Sequence, residues 1–344
     1  MDYDVTIGIP VYNAEKYIRM TIDSVLAQTF GRMELLVVDD CGTDHSIDIV
    51  REYQQQHPRG KDIRIVSQPQ NGGIGRARNR IIDEARGRYV YFMDADDTIE
   101  PNTIELLYAN AVRHSAQIVY GSYERVEQHE GQTKRTAIQY VPMQFSREDE
   151  FANYVYRQYE GIQAMVWNCL IDIDVCRKND LRFQPVNYWE DFSFTLNLPT
   201  YITRAVLLPD ITYHYYIRKG SVSNQSEQSH IGKEEIQKTI DAINQNKAKS
   251  ARLLTKPYLG RWLHKLLTTD FYIACTIFRK EQLIAPSFTK REIRDMMRSP
   301  LNMRQTLALR QMRWQNTCLY LLGVLPPALS VAIMKACAKM RKLM

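Results

Sequence analysis

The 344-residue chain is predicted to be an α/β protein whose mostly parallel central sheet is flanked by helices, followed by an all-helical C-terminal extension. Three observations predict this. Short, nearly continuous apolar runs alternate with helix-period patterns through the first hundred residues, as parallel strands covered on both faces do. Those runs end repeatedly in Asp or Asn. Past Asn224 the strand signal stops and only helical periodicity remains.

Taken in order, Val5-Thr6-Ile7-Gly8-Ile9 reads as the first strand, stopped by Pro10. Tyr17, Ile18, Thr21, Ile22, Val25 and Leu26 then recur at helical spacing, with Asn13 as the expected N-cap. Glu34-Leu35-Leu36-Val37-Val38 is the second strand and runs directly into Asp39-Asp40. A helix is expected over Asp44–Gln55, a strand over Ile63–Ser67 and a third helix over Arg76–Arg86, entered through Asn71-Gly72-Gly73-Ile74-Gly75. That glycine loop lacks both the Lys-Ser/Thr pair of a P-loop and the dinucleotide spacing after strand one. It reads as a tight turn that delivers Arg76 and Asn79, with Arg76 and Arg80 together at i, i+4. Arg88-Tyr89-Val90-Tyr91-Phe92-Met93 is a buried strand ending in Asp94-Ala95-Asp96-Asp97. Further on, Ser146–Gln158, Glu234–Leu254 and Tyr258–Lys280 carry helical patterns.

Composition excludes several classes. An apolar share of 44% and a charged share of 24% are those of a folded globular protein. Six Cys show no CxxC pair and no zinc spacing, so they read as reduced thiols in a cytosolic protein. The N-terminus has neither the basic nor the apolar region of a signal peptide. Of the net charge of +6, the residues from Thr289 onward carry eleven bases against Glu292 and Asp295, or +9, leaving −3 on the rest. A basic tail suggests a polyanionic surface, and without a recognised binding module nucleic acid is not expected. The uncharged run Cys318–Met334 is short for a membrane span and is interrupted by Pro326-Pro327. Flanked by Arg310, Arg313, Lys335, Lys339, Arg341 and Lys342, it reads either as an in-plane membrane anchor or as a buried helical hairpin.

In a parallel sheet, Pro10-Val11-Tyr12-Asn13, Asp39-Asp40 and Asp94–Asp97 fall on one edge, where open α/β sheets bind ligands. Gathered carboxylates are costly unless neutralised, and hard cations such as Mg²⁺ or Mn²⁺ take such oxygens together with phosphates. Each cluster alone is also what a helix cap or Asx turn would use, Asp94–Asp97 before a helix near Pro101 included.

The ordered set Pro10-Val11-Tyr12-Asn13, Gln28-Thr29-Phe30, Val37-Val38-Asp39-Asp40, Gly42-Thr43-Asp44, Asn71-Gly72-Gly73, Ala77-Arg78-Asn79, Asp94-Ala95-Asp96-Asp97, Trp189-Glu190-Asp191 and Tyr213 to Ser223 resembles the family-two inverting glycosyltransferases. The resemblance spans roughly 1–223 and implies a GT-A fold. It implies a catalytic domain over 1–224, with 1–122 the nucleotide-binding half and 123–224 the acceptor half; helical periodicity and the basic, apolar tail suggest a helical, membrane-associating region at 225–344. Pro10, Tyr12 and Asp40 would hold the base and ribose of a nucleotide-diphospho-sugar, with Asn13, Asn71, Arg76, Asp94, Ala95 and Arg218 also lining the donor. Asp96, with Asp97 and Asp94, would bind Mn²⁺ or Mg²⁺. Asp191 would be the general base and Glu190 its neighbour, although both could simply cap the helix that follows. His214 could ligate metal or pack. Cys41 and Arg80 depart from the usual pattern. The acceptor implied is a glycan; the basic, apolar tail suggests that it is lipid-linked and met at the inner face of the cell membrane. A sugar-phosphate nucleotidyltransferase, which should carry a basic glycine-rich first loop, and a non-catalytic nucleotide-sugar or membrane-binding protein are the rival readings.

Overall fold

The computed structural model describes residues 3–129, 132–157, 166–186, 190–218 and 231–343. The chain divides into two compact units, Met1–Gln225 and Ser226–Met344.

The first unit is built on one ten-stranded sheet. In chain order its elements are β1 (Val5–Val11), α1 (Ile18–Leu26), β2 (Met33–Asp39), α2 (Ser46–Gln56), β3 (Ile63–Ser67), α3 (Ile74–Glu84), β4 (Tyr89–Phe92) and β5 (Thr98–Ile99). They continue with α4 (Thr103–Arg113), β6 (Ile118–His129), β7 (Gln132–Ile138), β8 (Met143–Phe145), α5 (Glu150–Arg157), β9 (Cys169–Asp172), α6 (Ile173–Lys178), α7 (Glu190–Asn197) and β10 (Ala205–Ile217). The strands lie in the order β3-β2-β1-β4-β9-β6-β10-β5, with β7 on β6 and β8 on β10. β3, β2, β1 and β4 are parallel neighbours. β9 enters antiparallel between β4 and β6, and β10 is parallel to β6. A division at 122/123 falls within β6, so both halves share one sheet.

Both faces of the sheet are covered along β1, β2 and β4, as their apolar runs require, whereas β7 is exposed almost throughout. On β4, Tyr89 and Tyr91 join one core with Ile18, Ile22, Ile104 and Leu107, while Val90 and Phe92 join another with Ala77, Ile81, Phe151 and Phe194. The period-2 alternation of a strand makes this two-sided burial possible.

Several expectations are corrected. β1 runs through Pro10, which sits opposite Val38. Asn13 does not cap α1; it has φ +50°, and its Oδ1 accepts a hydrogen bond from the Thr43 N–H at 2.7 Å, tying the two loops together. Asn is among the side chains best suited to that left-handed backbone. The Asp94–Asp97 turn does not cap α4, whose N-cap is Asn102.

The second unit is helical except for one short parallel pair. It contains β11 (Ile231–Gly232), α8 (Lys233–Ala248), α9 (Leu259–Arg279), β12 (Ile284–Ala285), α10 (Lys290–Met296), α11 (Met303–Leu307), α12 (Arg313–Val324) and α13 (Pro327–Met340). α9 is its centre, burying Trp262, Leu263, Leu266, Leu267 and Ala274. Leu325-Pro326 separates α12 from α13, which Pro327 opens, and the inner faces of both pack on α9 and α10. Among the described residues no helix is long and apolar enough to cross a membrane.

Candidate active site

Parallel pairing of β1, β2 and β4 brings the residues after their carboxyl ends to one edge of the sheet. Tyr12, after β1, is 53% exposed there and offers an aromatic face. Asp40, after β2, is buried, and its two carboxylate oxygens accept hydrogen bonds from the Gly72 and Gly73 N–H groups at 2.8 Å each. Asp40 therefore buckles the glycine loop onto the strand end, a role with no local signal in the sequence. Gly73 has φ +78°, a backbone only glycine adopts freely. Asn71 and Arg76 are exposed on either side of this buckle. Cys41 has φ +60°, where a small polar residue or glycine would sit with less strain.

The loop after β4 splits its three acids by role. Asp97 is fully buried; its oxygens accept from the Tyr213 hydroxyl at 2.7 Å and the Tyr216 N–H at 2.9 Å. Burial, then Asp94 and Asp96, push its carboxyl well above the ordinary range. With each oxygen engaged inside the protein, Asp97 braces the loop, and the expectation that it binds metal gives way to this structural role. The Ala95 and Asp97 carbonyls accept from Thr21 Oγ1 at 3.0 and 2.9 Å, which pins the same turn to α1.

Asp96 is the most open of the three, its side chain 37% exposed, and Arg218 Nη1 lies 2.7 Å from it. The Arg218 guanidinium is stacked over Tyr17, 3.9 Å from the ring centroid, with Tyr216 at 5.1 Å. Burial and then Asp94 raise the Asp96 carboxyl above its usual range despite Arg218. Negative charge here is thus incompletely neutralised. Asp94 and Asp96 offer hard oxygen donors to a divalent cation that other oxygens would complete. Among the described residues no three His, Cys, Asp or Glu side chains form a metal cage by themselves. The donor set fits an ion shared with a ligand. His214 is not part of it, since its ring nitrogens face Glu100 at 2.8 Å and Glu124 at 3.2 Å, clamping β10 to its neighbours.

Arg78 joins the far side of the site. Its Nη2 donates to Asp94 at 2.9 Å, and its Nη1 meets Glu190 at 3.3 Å and bonds Asp191. The side chain is 3% exposed and rides 5.6 Å over the Phe183 ring. Burial opposes its charge, but Asp191, Asp94 and Glu190 together hold its pKa above the ordinary value. Asp191 is pushed up to about 7, chiefly by burial, against the pull of Arg78 and with help from Glu190 and Asp94. The approach is close because Gly75 opens α3. A Cβ there would lie 2.5 Å from the Gln184 carbonyl and 3.4 Å from Glu190 Cβ.

Arg78 falls in the matched run Ala77-Arg78-Asn79, but that match gives it no place in the site. α3 buries Gly75, Ala77, Arg78, Ile81 and Ile82, so an arginine on its apolar stripe was the available signal. Arg80 instead pairs with Glu84 at the surface, 2.8 Å away, and Asn79 holds the Phe183 backbone. Glu190 and Asp191 open α7, yet both side chains turn to Arg78. Trp189 and the stretch Lys219 to Ser223 lie outside the described residues.

Comparison with known proteins bears on the family and the fold. The profile described as "Glycosyl transferase family 2" matches residues 6–177, half of the chain. Relatives include glycosyltransferase GlyA of Streptococcus pneumoniae, 31% identical over 65% of this chain, and the putative teichuronic acid biosynthesis glycosyltransferase TuaG of Bacillus subtilis, 35% identical over 36% of it. Those matches cover 32% of GlyA and 48% of TuaG, so the chain spans well under two thirds of either. Among solved structures, S. aureus TarS 1–349 in complex with UDP-GlcNAc shares the fold, with a TM-score of 0.66 and 19% identity over 93% of this chain and 90% of that one. Mannosyltransferase PcManGT of Pyrobaculum calidifontis, in complex with GDP-Man and Mn²⁺, has a TM-score of 0.50 and 18% identity, covering 97% and 87%.

Proposed function

Because this chain belongs to glycosyl transferase family 2, we propose that it is an inverting transferase. It moves a sugar from a nucleotide-diphospho-sugar to a hydroxyl of a glycan or lipid-linked glycan during cell-surface polysaccharide assembly. The observation that carries this reading is the meeting of Asp94 with Glu190 and Asp191 around Arg78, the last two 112 and 113 residues from that arginine in sequence.

In this mechanism the acceptor oxygen attacks the anomeric carbon as the bond to the diphosphate oxygen breaks on the opposite face, and Asp191 takes the hydroxyl proton. A carboxyl near neutrality suits that task, since a base matched to the working pH accepts a proton as the bond forms. Glu190 and Arg78 hold Asp191 in place. Tyr12 and Asn13 frame the base and ribose; Asp40 and Pro10, both buried, act behind them, Asp40 by holding the glycine loop that Asn71 and Arg76 border. Arg218, already braced by Tyr17 and Tyr216, supplies positive charge toward the diphosphate. A Mn²⁺ or Mg²⁺ ion held by Asp94 and Asp96 together with the diphosphate would neutralise charge on the leaving group. The basic, acid-free end of the chain supports work at the inner face of the cell membrane.

Asp191→Asn tests the assignment. Sugar transfer should fall about a hundred- to ten-thousand-fold, while binding of the cognate donor, followed by thermal shift with Mn²⁺, stays near wild type. Turnover that survives the substitution would remove Asp191 from this role.

A further inference from the structure

The end of the second unit leaves a stripe of apolar side chains uncovered. On α12, Trp314, Cys318, Leu321 and Val324 are all exposed and recur at spacings of four, three and three residues, which puts them on one helical face. Trp314 is 69% exposed and Val324 51%. α13 continues the pattern with exposed Leu329, Ala332, Ala336 and Met340. The opposite faces are spent on packing. Leu322, Val331, Met334 and Ala338 are buried, the Asn316 amide donates to the Gly260 carbonyl at 2.8 Å, and Ser330 Oγ donates to the Leu322 carbonyl at 2.6 Å.

Charge is arranged around this stripe. Residues 314–334 carry none, and from 296 to the last residue there are eight bases and no acid. Asn316, near the head of α12, touches the start of α9, whereas Lys335 pairs with Glu281 beyond its other end. From there α13 returns, since only Leu325 and Pro326 join it to α12 and the two helices pack on each other and on α9. Arg310, Arg313, Lys339, Arg341 and Lys342 thereby gather at one end of the hairpin, and the uncharged Val324–Leu329 joint lies at the other.

We infer that the outer face of α12 and α13 is an in-plane docking surface for an anionic lipid bilayer. Trp314, Leu321, Val324 and Leu329 enter the headgroup–acyl boundary, and the basic residues meet lipid phosphates. A second copy of the chain is the poorer occupant, because it would bring the exposed bases Arg310, Arg313, Lys339, Arg341 and Lys342 up to another set of the same charge. The inference rests on the proposal that the acceptor is membrane-borne, and gives that proposal its surface.

Co-sedimentation of the full chain with vesicles tests it. Binding is expected to phosphatidylglycerol–phosphatidylcholine vesicles, to weaken as salt rises, and to be absent with phosphatidylcholine alone. A blue shift of tryptophan emission should accompany binding and vanish in Trp314→Phe. The double variant Leu321→Glu, Val324→Glu should bind at least about tenfold more weakly with unchanged melting and unchanged donor binding. Equal binding by that variant, or by neutral vesicles, overturns the docking face. So does a doubled solution mass that the same substitutions abolish, with no vesicle binding. If the chain transfers sugar but ignores anionic vesicles, the docking face falls and the transferase reading stands. Vesicle binding through this face with no transfer from any donor keeps the docking face and removes the transferase reading.

Discussion

Two buried meetings of positive and negative side chains can be set side by side. In the first unit, Arg78 faces Asp94, Glu190 and Asp191, one cation against three carboxylates at an edge where two of those acids remain 18% exposed. In the second, Lys247 faces Asp270 at 2.6 Å, one against one, with side chains 7% and 0% exposed. Lys247 Nζ also donates to the Met296 carbonyl. The sealed pair is balanced and answers only to its own fold. The open cluster is left short of positive charge, which costs stability unless something else supplies it. Both Asp191 and Asp270 are pushed up to about 7 by burial, so the titration of a single acid does not distinguish them. Stoichiometry and access do.

Removing the shared cation should produce the largest effect. Arg78→Met strands three carboxylates, and loss of one partner from a buried ion cluster costs about 3–5 kcal/mol. For a unit of this size that is a fall in Tm of roughly 6–20 °C. Asp191 can recover by binding a proton, because loss of Arg78 removes the charge that pulls its raised pKa down. The deficit should therefore shrink as pH is lowered through and below 7. Calorimetry at several pH values reads this directly. A Tm that barely moves at neutral pH would mean Arg78 is not what holds the acids together.

The sealed pair should fail in a different way. Lys247→Met alone leaves Asp270 without its partner and should cost a comparable amount, whereas Lys247→Met with Asp270→Leu should return to within about 1 kcal/mol of the native chain or exceed it. Transfer activity should follow stability and nothing else. The native Asp270 also has a sign of its own. Its folded pKa, raised to about 7 from an ordinary 3.8, favours the folded state fully below about 4 and loses that contribution as pH climbs through 7. The double variant should lack this pH dependence in a denaturant titration. Should the double variant prove as unstable as the single one, the pair contributes more than charge neutralisation and the contrast weakens.

How much of this could be read beforehand depends on whether the signal is local. β1, β2, β3 and β4 announce themselves because a buried parallel strand must be apolar on both faces, and their Asp-rich ends follow from the same runs. β9 carries no such mark. It is four residues long and lies antiparallel between β4 and β6 because of pairing partners elsewhere in the chain. The division of labour in Asp94-Ala95-Asp96-Asp97 was equally out of reach, since Asp97 turns inward to a tyrosine 116 residues away. Arg78 was legible in principle. Pairing Arg76 with Arg80 drew attention to the exposed face of α3, while the stripe of Ala77, Ile81 and Ile82 marked the buried one. The tail was half legible, because its uncharged run and double proline are plain, yet the same pattern serves a docked hairpin on one face and an open stripe on the other.

The smallest expected effect is the one that separates the roles of the two adjacent acids. Glu190 raises the Asp191 pKa both by its charge and through a side-chain hydrogen bond. Glu190→Gln removes that charge but keeps the side-chain shape, so the Asp191 pKa should fall. A base must be ionised to work, so the acidic limb of kcat/KM, expected near 7 in the native chain, should move down by roughly half to one pH unit. At pH 8 the rate should change little, because Asp191 is ionised in both proteins. An acidic limb that stays near 7 while the maximal rate collapses would reverse the assignment and make Glu190 the residue that takes the proton. The sealed pair offers no counterpart, since Asp270 has no second acid beside it among the groups that shift its titration. Only a site with carboxylates in excess can be tuned by one neighbour while another does the chemistry.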